Sequence, residues 1–111
     1  MVQFQFLGGL GSTPYKGTDH GIFISRVTAG GPAHLAGLKK DDKVLEINGC
    51  TCIGIDHYKA VEILKYAGST FDMKIIRETP MKLAELYNLT FDESTKMHIS
   101  VLISMILTSI Y

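Results

Sequence analysis

Tryptophan is missing from this chain of 111 residues, cysteine occurs twice, proline three times, and neither sign of charge prevails. Each shortage excludes something. With 11 basic against 11 acidic side chains, there is no surplus of Lys and Arg to displace counterions from a nucleic acid or to hold an anionic membrane. Cys50 and Cys52 lie one residue apart, where a bridge between them is badly strained. Two thiols make no disulfide framework, so a reducing compartment is expected. The amino end has no charged leader followed by an apolar run, which argues against a secretory signal. Glycine, plentiful at first, does not occur after Pro80.

What is present suffices for one small domain. An apolar share of 46% supplies a core, and a charged share of 20% is too low for a disordered polyampholyte. The change of composition at Pro80 divides the chain into a domain at residues 1–79 and a C-terminal extension at 80–111.

In the first part Phe4 and Phe6 alternate with Gln3 and Gln5, the period of a half-buried strand. The stretch from Gly8 to Pro14 ends that strand and opens a loop lasting to Asp19, long for a hairpin and therefore a candidate functional loop. Residues 21–27 read as a second strand, with Ile22 and Ile24 on one face. Pro32 to Ala36 form a one-turn helix with proline at its first position and Gly37 as its stop. An alternating run from Lys43 to Ile47 meets the turn signal Asn48-Gly49, then a brief strand around Cys50 to Ile53. Asp56 caps a helix whose Val61 and Leu64 share a face, Gly68 ends it, and Phe71 to Arg77 alternate as a further strand. The series is α+β with mostly antiparallel connections.

Several of these segments are familiar together. Gly21-Ile22-Phe23-Ile24, Gly30-Gly31-Pro32-Ala33, Ala36-Gly37-Leu38, the run from Asp42 to Gly49, and His57 with Val61 four residues on stand in the order and spacing of a PDZ domain. The match covers roughly Val2 to Glu78. The loop from Gly11 to Gly17, with the strand that follows, most resembles PDZ domains of Scribble-type polarity scaffolds, proteins combining leucine-rich repeats with PDZ domains. The resemblance implies a small, partly open antiparallel β-sandwich or barrel with two helices, here lacking the first strand. It also implies capture of the last few residues of a partner protein by strand addition.

Carried onto this sequence, the family's carboxylate-binding loop falls on Val2, Gln3 and Phe4, whose backbone N–H groups would converge on the terminal carboxylate. The resemblance implies an apolar pocket of Val2, Phe4, Phe6, Val61 and Leu64, with Gln5 and Ser25 at the groove edge. His57 falls where a ring nitrogen accepts a hydrogen bond from a Ser or Thr three places from the ligand's end. The expected ligand therefore ends in Ser/Thr, any residue, then an apolar residue. One buried terminal side chain contributes roughly 1.5–3 kcal/mol, carboxylate bonds add about as much each, and peptide ordering cancels a large share. A net near −8 kcal/mol corresponds to about micromolar affinity.

The sequence departs from the family at Gln3, which replaces the motif's second glycine, and in having no strand ahead of Met1. Either something else covers the open sheet edge, or the chain is a truncated fragment that does not bind. The tail, from Ile99 to Tyr111, is apolar or hydroxylated with no charge. It reads as a strand or helix over that edge, as a short membrane anchor, or as an unnatural continuation. Leu83, Leu86 and Tyr87 share a helical face, and Ser109-Ile110-Tyr111 has the outline of a self-ligand.

Other chemistry is weaker. Cys50, Cys52 and His57 lack the second pair a structural zinc requires, and no metal or cofactor is expected. Ser25 and His57 lie along one groove by family register but have no orienting acid or oxyanion architecture, so no enzyme is expected. The sequence reads as a module of a cell-polarity or junction scaffold, cytoplasmic at the inner face of the plasma membrane. Its expected partners are the C-terminal tails of membrane or signalling proteins, with no nucleic acid and no small-molecule substrate.

Overall fold

The computed structural model describes residues 4–68, 70–78 and 96–104. Strand β1 (Phe4–Gly8) pairs antiparallel with β2 (Ile22–Val27), and the register slips between Gln5 and Phe6, a bulge that leaves Ser25 between the paired Ile24 and Arg26. Helix α1 (Pro32–Leu35) is a single turn with proline at its start. Strand β3 (Lys43–Ile47) pairs with β2, with the two-residue β4 (Cys50–Thr51) and with β5 (Thr70–Glu78). Helix α2 (His57–Tyr66) connects β4 to β5. The sheet runs β1-β2-β3-β5-β6, its last member being β6 (Lys96–Ser104).

Local chemistry accounts for the corners. Asn48 and Gly49 both take positive φ, 50° and 81°, the pair of values that lets a two-residue turn match the twist of β3 and β4. Asn48 also donates its N–H to the Asp72 carbonyl and accepts the Asp72 N–H on its side-chain oxygen, each at 2.8 Å, which ties the turn to β5. The Asp56 carboxylate accepts the Lys59 N–H at 2.7 Å and so satisfies an orphan donor of the first turn of α2.

The core lies between the sheet and the helices. Ile24, Met73, Ile75 and Ile103 are wholly shielded, with Ala33 of α1 and Ala60 of α2 set against the same cluster. Phe23 differs from the alternating pattern: although it points opposite to Ile22 and Ile24, it is buried too. The Tyr15 ring stacks on it at 5.5 Å and the Lys43 ammonium sits 5.9 Å from its centre. Asp42 is the buried charge among the described residues. Its carboxylate accepts two 2.7 Å hydrogen bonds from Arg77 and one of 2.8 Å from the Lys39 N–H, while Arg77 also donates to the Gly37 carbonyl. The paired carboxylate makes Arg77 hold its proton more tightly than usual.

Strand β6 lies in the stretch beyond residue 79 that the sequence set apart as an extension. It pairs with β5 from Thr70↔Ser104 to Glu78↔Lys96, and its Val101 and Ile103 enter the core. Without it, β5 would be the outer strand. The helical face of Leu83, Leu86 and Tyr87 and the terminal Ser109-Ile110-Tyr111 fall outside the described residues.

Candidate functional site

Among the described residues, β1 pairs with β2 alone, so its other edge faces α2. The two elements are brought together at one end by Gly9. Its φ is +106°, and a Cβ there would stand 2.5 Å from the His57 backbone nitrogen. Only glycine allows both the left-handed backbone and this approach. The Leu10 N–H then donates to the Ile55 carbonyl at 2.9 Å, fixing the end of β1 beside the start of α2.

From that junction the two elements place their side chains toward each other. Phe6 is half-buried, and its ring centre is 5.1 Å from the imidazole of His57. Val61 and Leu64, four and seven residues beyond His57 and so on the same side of α2, are also half-buried. Phe4 is more enclosed: it is 8% exposed and packs on Phe71 at 6.3 Å, so it belongs mainly to the core. Gln5 is exposed, and Ser25 is half-buried on β2. Val2 and Gln3, two thirds of the expected carboxylate loop, lie outside the described residues.

His57 is the first residue of α2. Its Nδ1 lies 3.3 Å from the Gly8 carbonyl. A carbonyl only accepts, so this bond places a proton on Nδ1, and in the neutral ring Nε2 then carries the lone pair. That is the tautomer needed to receive a hydroxyl proton. Tyr58, next along the helix, meets the same ring edge-on at 6.4 Å.

The groups weighed for other chemistry are placed differently. The His57 contact is with Gly8, and no hydrogen bond links the ring to Ser25 among the described residues. Cys50 is exposed and Cys52 buried; burial pushes the Cys52 thiol up to about 11, a group of low reactivity at neutral pH. Among the described residues, no three His, Cys, Asp or Glu side chains are grouped to hold a metal ion.

One participant was not assigned from the sequence. Leu7, Ser12, Thr13, Pro14, Tyr15 and His57 surround a cavity of about 530 Å³ at the Gly8 end of β1. Only the length of the β1–β2 loop hinted at it.

This arrangement, a sheet edge beside a capped helix with Phe6, Val61 and Leu64 half-buried on the two elements, agrees with comparisons to known proteins. The sequence model of the PDZ domain matches residues 2–76, and the chain belongs to the PDZ family. It is 39% identical over 77 residues to human erbin and 40% identical over 77 residues to rat leucine-rich repeat-containing protein 7. Each alignment takes in 68% of this chain and 5% of the relative. Both relatives are leucine-rich-repeat-and-PDZ proteins of the Scribble kind, as the β1–β2 loop suggested. Among solved structures, the second PDZ domain of Dlg1 from the choanoflagellate Monosiga brevicollis superposes with a TM-score of 0.61 at 36% identity, covering 66% of this chain and 80% of that one. PDZ domains are protein-interaction modules.

Proposed function

We propose that the slot between β1 and α2 takes the C-terminal residues of a partner protein as an added antiparallel strand. The observation that carries this reading is the imidazole of His57, held by the Gly8 carbonyl beside Phe6 and the outer strand β1, so that the neutral ring turns Nε2 into an acceptor. Backbone groups on the outer edge of β1 supply the ladder and give affinity irrespective of sequence. Phe6, Val61 and Leu64, with Val2 and the remaining face of Phe4, enclose the terminal apolar side chain. The amides of Val2, Gln3 and Phe4 bind the carboxylate, and His57 selects Ser or Thr two residues earlier. Gln5 and Ser25 touch the peptide from the sheet side.

The partners are C-terminal tails of membrane or signalling proteins, gathered by a scaffold at cell junctions or polarity complexes, at the inner face of the plasma membrane. The Scribble-kind relatives support this setting. The rival reading, a fragment that does not bind because its first strand is missing, is disfavoured by β6, which pairs along the whole of β5 and fills the core from that side. Fluorescence-polarisation titration with a peptide ending Thr-Ala-Val and with its C-terminally amidated twin tests the proposal. The free acid binds at about micromolar affinity, and the amide at least tenfold more weakly, because it lacks the anion the amides receive. Equal binding of the two, or none in folded protein, overturns it.

A further inference from the structure

Strand β6 ends the sheet on the side away from β1. Among the described residues it pairs with β5 alone, so its other edge presents backbone groups to which no strand is joined. Its pairing with β5 runs through nine residues without a register shift, whereas β1 is interrupted by its bulge. Sheet edges are commonly protected from adding a further strand by lysine, proline or a bulge. From Ile99 to Ser104 β6 has none of these, and no charged side chain occurs from Ile99 to Tyr111. The two faces of the strand differ. Val101 and Ile103 are buried in the core, while Leu102, on the opposite face, is 64% exposed. Ser100 shares that outer face and donates its hydroxyl to Asp72 Oδ1 at 2.8 Å.

We propose that this edge pairs with the same edge of a second copy of the chain, antiparallel and centred on Leu102, to give a two-fold dimer. The sequence from Ser100 to Ser104, Ser-Val-Leu-Ile-Ser, reads nearly alike in both directions. An antiparallel pair centred on Leu102 therefore sets Ser100 opposite Ser104, Val101 opposite Ile103 and Leu102 opposite its own copy. Buried and exposed faces stay in step across the join, which a slip of one residue would destroy. The two Leu102 side chains meet as a cross-strand pair and cover apolar surface that is open in the single chain. Because both copies use one patch, the association closes at two. It leaves β1 at the two far ends of one continuous sheet, and on the peptide-capture reading the dimer takes two chain ends at once. A join of one strand pair is a small interface, so a weak dimer is expected, with a dissociation constant of about 100 µM.

The test is sedimentation velocity of the whole chain from about 10 µM to about 1 mM, across which it should pass from monomer to dimer and stop there. Leu102→Lys sets two like charges face to face in the dimer. Within one copy position 102 lies opposite Asp72, so the folded monomer accommodates the lysine. This variant should dimerise about tenfold more weakly, whereas Tyr66→Lys, at an exposed position on α2, should dimerise as the wild type does. In the wild type, those amides of residues 99–104 that point away from β5 should exchange more slowly as concentration rises. That measurement needs no variant and decides the matter where Leu102→Lys does not fold. A monomer throughout, growth past the dimer, or equal behaviour of the two variants overturns the proposal. Protection of the same amides at every concentration overturns it too, because the chain's own residues would then cover the edge.

Discussion

At the scale of single residues, His57 carries the most specific chemistry. In the neutral ring its proton is committed to Gly8, so the role we propose for it toward a ligand is that of an acceptor, and an acceptor distinguishes a hydroxyl from a methyl group. His57→Ala should weaken a peptide ending Thr-Ala-Val about threefold to tenfold, the net worth of one neutral hydrogen bond, and a peptide ending Val-Ala-Val much less. Polarisation titrations of both peptides against both proteins measure this; equal losses would remove the assigned role. Cys52 supports a prediction about pH. Its folded value, about 11, lies above the ordinary thiol value because the buried thiolate is poorly solvated. The unfolded chain therefore loses that proton first as pH rises, and stability falls between about pH 9 and pH 11. Urea denaturation across that window should show a shallower decline for Cys52→Ala than for the wild type. Residue roles were legible where a frame of neighbours fixed them, as for His57. Phe23 was not: a period of two sends it outward, and it is buried because Tyr15 folds back over it from thirteen-odd positions of irregular loop, a contact no periodicity encodes.

At the scale of elements, the slot depends on how closely the end of β1 approaches the start of α2. Gly9 sets that approach, with the Asp56 cap holding the helix end in place. Gly9→Ala meets the His57 backbone nitrogen and forces a left-handed alanine, for which the conformational term alone is about 1–2 kcal/mol. The variant should unfold at lower urea, and more of its peptide affinity should be lost than that of a surface Gly17→Ala control, where a Cβ meets nothing. Equal effects at the two glycines would mean that the junction does not shape the slot. The elements themselves were largely readable, because Asp56, Asn48-Gly49 and Pro32 each solve a local problem of hydrogen bonding or backbone angle. The β1–β2 bulge was not readable, since a register slip depends on both strands at once.

For the whole molecule, the open question from the sequence was what covers the sheet edge left without a first strand. Strand β6 completes the sheet on β5, at the end opposite β1, and Val101 and Ile103 are almost completely shielded in the core. Two such side chains contribute roughly 3–6 kcal/mol by burial, a large part of the 5–15 kcal/mol typical of a domain. We therefore propose that the folding unit extends beyond residue 79. A fragment of residues 1–79 should lack a cooperative thermal transition by circular dichroism, whereas the full chain has one; equal melting of the two would place the boundary at Pro80 after all. The tail's alternation was visible only as a run of apolar and hydroxylated residues, which suits a strand, a helix or an anchor alike. Its pairing with β5 is a long-range choice, made by where the hydrophobic gap lies. The central claim is that the β1 edge and the facing side of α2 receive a chain end together. Heteronuclear NMR titration of the labelled protein with a free Thr-Ala-Val peptide tests it most directly. Amides of Phe4–Gly8 and of the first two turns of α2 should shift in a saturable manner, with those on the outer edge of β1 gaining protection from hydrogen exchange. Shifts confined to β6, or saturation without any change along β1, would contradict it.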